Sequence, residues 1–93
     1  MSKSRGYWSE EIVNGWTCVI YDDDSDMPYD GKVHCFIQRC NKSFRINLNP
    51  DGAFWDGHEP SNDDINLRER SKCLSYCETH LSKLRFIYDK VRE

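Results

Sequence analysis

The chain has 93 residues, 38% hydrophobic and 31% charged, with a net charge of −3. That length supports one small core and excludes a second domain, since so short a chain buries only about two thirds of the surface its unfolded form exposes. No apolar run approaches the roughly 20 residues that span a bilayer, the N-terminal "MSKSRGYWSEE" lacks the apolar stretch of a secretion signal, and the five cysteines, an odd number, suit reduced thiols; the expectation is a cytoplasmic protein.

In chain order, "GYWSEEIV" fits either a short strand or a helical turn. "GWTCVIYD" alternates Trp16, Cys18 and Ile20 against Thr17, Val19 and Tyr21, the period of a strand. The alternation returns in "KVHCFIQ", with Val33, Cys35 and Ile37 opposite His34, Phe36 and Gln38, and in "SFRINLN", with Phe44, Ile46 and Leu48 opposite Ser43, Arg45 and Asn47. "RCNK" is short enough for a hairpin, and "NPDG" is a turn that leads into a fourth strand, "AFW". From Ser61 to Glu93 there is no glycine or proline, and Ser61 with Asp64 three residues later resembles a helix N-cap. Leu67, Leu74, Cys77, Leu81, Leu84, Tyr88 and Val91 then form one apolar stripe. The fold expected is α+β: a single domain over 1–93, with a β-meander of three to five antiparallel strands over 14–57, an acidic loop over 21–31, and one long C-terminal helix over 61–91 packed on the sheet.

Charge is uneven along the chain. Residues 22–64 carry ten acidic against four basic groups, whereas residues 65–93 carry four against seven. The densest acid is "YDDDSDMPYDG", with five aspartates in eleven positions and no lysine or arginine. Asp22, Asp24, Asp26 and Asp30 fall at positions 1, 3, 5 and 9 of a calcium loop, but Met27 stands where its glycine belongs and Val33 where its bidentate glutamate belongs, so a solvated acidic loop is the simpler reading.

Cys35, Cys40, Cys73, Cys77 and His80 raise the possibility of zinc. The spacing is poor for it: Cys35 is mid-strand, Cys40 is in a hairpin some 15 Å further on, and Cys18, Cys35 and Cys77 occupy core positions where cysteine serves as a small hydrophobe. Buried thiols without a metal or other cofactor are expected. Were zinc held after all, its ligands would be Cys35, Cys40, Cys73 and Cys77. Cys73 and His80 stand seven residues apart, about 10 Å along a helix, too far for a nucleophile and its base. No glycine-rich phosphate cradle or nucleophile elbow occurs, and the chain does not read as an enzyme.

In "GAFWDGHEP" the adjacent Phe54 and Trp55 must point to opposite faces of a strand. Either Phe54 continues the core side and Trp55 folds over the sheet edge or packs beneath the helix start, or Trp55 joins Phe36, His34 and Tyr21 on the face away from the helix, in an aromatic patch rimmed by Asp56, Glu59 and the aspartate loop. Aromatic rings with a polar rim suit a protein partner. Rings on an open sheet also stack single-stranded RNA, and Lys32, Arg39, Lys42 and Arg45 lie near, but ten acids in the same segment repel phosphates.

The layout, a strand meander beginning at "GWTCVIYD", an acidic connection and a terminal helix, resembles that of small phage-encoded inhibitors, including anti-CRISPR proteins, in element order and acidity over residues 15–90. The resemblance implies a protein that occupies a nucleic-acid-binding surface on another protein. Bacterial immunity proteins against nuclease toxins are likewise small and acidic. The expectation is therefore a non-catalytic binder of a basic protein surface, with Asp22, Asp23, Asp24, Asp26 and Asp30 steering its approach as a nucleic-acid mimic, Tyr29 and Trp55 as anchors, and Asp56 and Glu59 at the rim. A small module binding single-stranded RNA or zinc is the alternative.

Overall fold

The computed structural model describes residues 7–21 and 32–91. Five strands, β1 (Tyr7–Val13), β2 (Trp16–Tyr21), β3 (His34–Arg39), β4 (Lys42–Asn49) and β5 (Gly52–Trp55), are followed by two helices, α1 (Leu67–Thr79) and α2 (Leu81–Val91). The strands form one antiparallel sheet in the order β1-β2-β3-β4-β5, each pairing with its neighbours in sequence. "GYWSEEIV" is thus a strand, and a bulge between Glu11 and Val13 leads into the turn at Asn14 and Gly15, both with positive φ.

The alternating residues fall as the sequence predicts. Trp16, Cys18 and Ile20 of β2, Cys35 and Ile37 of β3 and Ile46 and Leu48 of β4 are buried on one face, where Ala53, Ile65, Cys73, Cys77, Leu84 and Tyr88 complete the core. Both helices cover that face: α1 lies chiefly against β1 and β5, α2 against β2 and β3.

The single long helix expected over 61–91 is two helices, and it starts later. Ser61 and Asp64 form a turn instead, in which Asp64 N–H donates to the Ser61 carbonyl (3.0 Å) and Ser61 Oγ to Asp64 Oδ2 (3.3 Å). The true N-cap is Asn66, whose side chain accepts from Glu69 N–H at 2.8 Å. At His80 the backbone leaves helical geometry (φ −108°, ψ 28°), and the chain turns from α1, which reaches both edge strands β1 and β5, into α2, which lies chiefly over the central strands β2 and β3. A straight helix over 61–91 would run about 46 Å at 1.5 Å per residue, whereas the bend at His80 lays two shorter helices over the same sheet face. Consequently the stripe is not continuous. Leu67 is 59% exposed and Leu81 half-buried, whereas Leu84 is fully buried and Cys73 is a core residue.

Glu69 and His34 are the buried polar residues among the described ones, and Glu69 carries the denser set of side-chain contacts. Its Oε1 accepts from Trp16 Nε1 (3.0 Å) and its Oε2 from Asn14 Nδ2 (2.7 Å), and Arg39 stands 4.0 Å away while its guanidinium lies over the Trp16 ring. These contacts hold its carboxyl below the usual carboxylate range, the Asn14 amide first, then the Trp16 indole and Arg39, against the opposing effect of burial.

Two outcomes follow from this packing. Leu84→Ala should lower stability by about 2–5 kcal/mol in urea unfolding, as a buried large-to-small change, while Leu67→Ala should stay within about 0.5 kcal/mol. Because the folded-state pKa of Glu69 lies below its ordinary value of 4.5, its stabilisation is fully present above that pH and lost as pH falls through the lower folded value. Melting temperature measured from pH 6 downward should therefore drop less steeply for Glu69→Gln than for the wild type, from a lower starting point; parallel curves would show that the carboxylate is not the titrating support.

Candidate functional site: the outer sheet face and a buried thiol cluster

The face of the sheet turned away from the helices is crossed by a row of rings. Tyr7 pairs with Tyr21 in register, their centroids 6.1 Å apart; Tyr21 lies 5.8 Å from Phe36, and Phe36 stands edge-on to His34 at 5.4 Å. Such spacings are those of interacting aromatic pairs. Tyr21 donates its hydroxyl to Gln38 Oε1 at 3.1 Å. Beside the row is a shallow concavity of about 470 Å³, lined in part by Tyr7, Ser9, Thr17, Val19, Tyr21 and Gln38. His34 is not part of the exposed surface: it is buried, and its ring also meets Tyr88 of α2 at 5.5 Å.

The sequence expectation for β5 is reversed. The pairing of β4 with β5 sets Trp55 opposite Ile46 and Ala53 opposite Leu48, so Trp55 shares the helix-side face and packs half-buried against the core. Phe54, opposite Asn47, points outward and is 50% exposed. The register decides which of two adjacent aromatics is displayed, and the tight turn at Pro50 and Asp51 fixes that register. Gly52 is part of the same fit, since a Cβ there would sit 3.3 Å from Phe54 Cζ and 3.4 Å from Glu78 Oε2. That same Glu78 oxygen accepts the Ala53 N–H at 3.0 Å.

Asp56 and Glu59, expected at the rim, are exposed but engaged within the chain. Asp56 meets Arg45 at 2.8 Å and accepts from Asn47 Nδ2 at 3.1 Å, and Arg45 first, then Asn47, holds its carboxyl below the usual range despite partial desolvation. Glu59 lies 3.1 Å from Arg70 Nε. Neither offers a wholly uncompensated charge. Asp22, Asp23, Asp24, Asp26, Tyr29 and Asp30 lie outside the described residues. Tyr7 does not stand out in the sequence because "GYWSEEIV" fits either a strand or a helical turn, although the alternation of Tyr7, Ser9 and Glu11 against Trp8 and Glu10 is the signal that places it.

No family model matches the chain, and no curated protein or solved structure is significantly similar to it. No helix among the described residues is long and apolar enough to cross a membrane.

The second cluster is on the other face. Cys18 of β2, Cys35 of β3 and Cys77 of α1 bring three buried sulfurs within 4.8 Å of one another, with Cys35 and Cys77 at 3.7 Å. The zinc set Cys35, Cys40, Cys73 and Cys77 does not assemble: Cys40 is exposed in the β3–β4 turn with φ 55°, and Cys73, one turn before Cys77, lies outside the group of three. Burial pushes the Cys73 thiol up to about 12. Within the group, hydrogen bonds from Cys35 and Cys77 favour the thiolate of Cys18, and Cys35 is held as the thiol by its hydrogen bonds to Cys18 and Cys77 and by burial.

Exposure makes the outer rings separable from the fold. Tyr7→Ala and Phe54→Ala should each change stability by about 0.5 kcal/mol or less, as surface substitutions do; a loss of several kcal/mol in urea unfolding would show that these rings are structural.

Proposed function

We propose that this chain is a non-catalytic binding protein that docks the aromatic outer face of its sheet onto a basic surface of a partner protein, and so blocks the nucleic acid that this surface binds. The observation that carries the reading is the exposed ring row: Tyr7, Tyr21, Phe36 and Phe54 stand on the face opposite the helix-packed core, with Tyr7 63% and Phe54 50% exposed. Large rings that lose their remaining water on docking are the usual anchors of an interface. They take over the role that the sequence assigned to Trp55.

Charge gives the partner its sign. The connection from β2 to β3 carries Asp22, Asp23, Asp24, Asp26 and Asp30, and it joins the sheet at Tyr21, in the row of rings. Clustered negative charge steers association with a basic groove and stands in for phosphates, whereas the rings set how long the complex lasts. An inhibitor encoded by a phage or mobile element, acting in the cytoplasm, would work this way, and an immunity protein against a nuclease toxin would use the same contacts.

The test takes a nucleic-acid-binding protein retrieved from host extract, purified, with its labelled nucleic acid. The wild type should displace that nucleic acid. Changing Asp22, Asp23, Asp24 and Asp26 together to asparagine should slow association about tenfold at low salt and flatten its salt dependence, while Tyr7→Ala with Phe54→Ala should raise the dissociation rate about tenfold. Unchanged rates for both variants would refute the reading. Direct binding of single-stranded RNA, tightened by the aspartate substitutions, would replace it with the RNA-stacking alternative.

A further inference from the structure

The buried thiols are not needed for docking, and their arrangement has a chemistry of its own. We propose that Cys18, Cys35 and Cys77 form a three-coordinate sulfur site for a soft d10 metal ion, of which monovalent copper is the class that fits.

Placement is the first argument. The three sulfurs come from two adjacent strands and a helix, are separated by up to 42 and 59 positions in sequence, and converge where the sheet is most fully covered, each residue with no exposed surface. Spacing is the second. Three sulfurs about 2.3 Å from a central ion in a plane lie about 4 Å from one another. The observed limit of 4.8 Å, with one pair at 3.7 Å, requires closure by less than about 1 Å, within the reach of side-chain rotation and without a change in strand register.

Ligand type and number then select the ion. Thiolates favour soft ions, chiefly monovalent copper, zinc and iron–sulfur clusters. Zinc in a structural site takes four ligands, and among the described residues the group contains three. Monovalent copper, with a filled d shell, accepts three sulfurs without a fourth. Each ligating thiol gives its proton to solvent as the sulfur–metal bond forms, and no electron is transferred. This departs from the sequence expectation of metal-free thiols, because it is the fold that adds Cys18 to the set and removes Cys40 and Cys73.

The experiment titrates the reduced full chain with monovalent copper under anaerobic conditions, against a chromophoric copper chelator, both on the folded protein and during refolding. One equivalent per chain should be retained through desalting, with a copper X-ray absorption spectrum of three sulfurs at about 2.3 Å. Cys40→Ser and Cys73→Ser should bind as the wild type does, whereas Cys18→Ala and Cys35→Ala should bind at least tenfold more weakly. Absence of retained copper in the wild type would overturn the proposal. So would loss of binding in Cys40→Ser, which would place the ion on the exposed thiol, or loss in Cys73→Ser with a four-sulfur shell. If the core variants fail to fold, the spectrum of the wild type decides: two sulfurs, or nitrogen and oxygen ligands, would refute the three-sulfur site.

Discussion

The carboxylate of Glu69 is the interaction on which the arrangement of sheet and helices depends. It stands in the first turn of α1, where a negative charge complements the helix dipole, and its two oxygens reach back to the Asn14 amide and the Trp16 indole at the β1–β2 turn. A buried carboxylate is costly unless its hydrogen-bonding capacity is used. Here that need works in favour of one structure: an approach angle of α1 that satisfied Glu69 less well would leave a charge and an indole N–H unpaired in the core. Arg39, stacked over Trp16, extends the same network to the end of β3. The start of the helix is thereby fixed relative to three strands.

With that end fixed, the break at His80 sets where the second half of the covering layer falls. His80 N–H still donates to the Tyr76 carbonyl at 3.0 Å, and Leu84 N–H to the His80 carbonyl at 2.8 Å, so the chain bends without losing those backbone partners. The ring of His80 lies on Tyr76, with centroids 4.7 Å apart. Tyr76 in turn donates its hydroxyl to Glu10 of β1. The bend thus rests on contacts to the edge strand, and it brings Leu84 and Tyr88 over β2 and β3.

The strands were legible in the sequence because a half-buried strand writes its burial as strict alternation, and Trp16, Cys18, Ile20, Cys35, Ile37, Ile46 and Leu48 obey it. The helix start was misplaced because a serine–aspartate pair at Ser61 and Asp64 has the same local signature in a turn as at an N-cap, while Asn66 followed by Glu69 three residues later offers a second, equally local cap, the one the fold uses. Phe54 and Trp55 could not be ordered from sequence, since neighbours of similar hydrophobicity carry no alternation signal and the register comes from the turn before them. The thiol cluster was illegible for a related reason. Its members are separated by a strand, a connection and most of the fold, and only the pairing of β2 with β3 under α1 reveals which cysteines meet.

The strict neighbour-to-neighbour order of the strands has a consequence for synthesis. Each hairpin can close as soon as its second strand emerges, yet the residues that cover the core face lie later in the chain, in Ile65, α1 and α2. During translation the meander therefore exposes Trp16, Ile20, Ile37, Ile46 and Leu48 as a continuous apolar sheet until the last helical turns leave the ribosome. Transiently exposed apolar surface of this kind is what chaperones shield during synthesis. A ribosome stalled within the helices would display a nearly complete sheet whose core face has no cover, the kind of transiently exposed apolar surface on which chains associate.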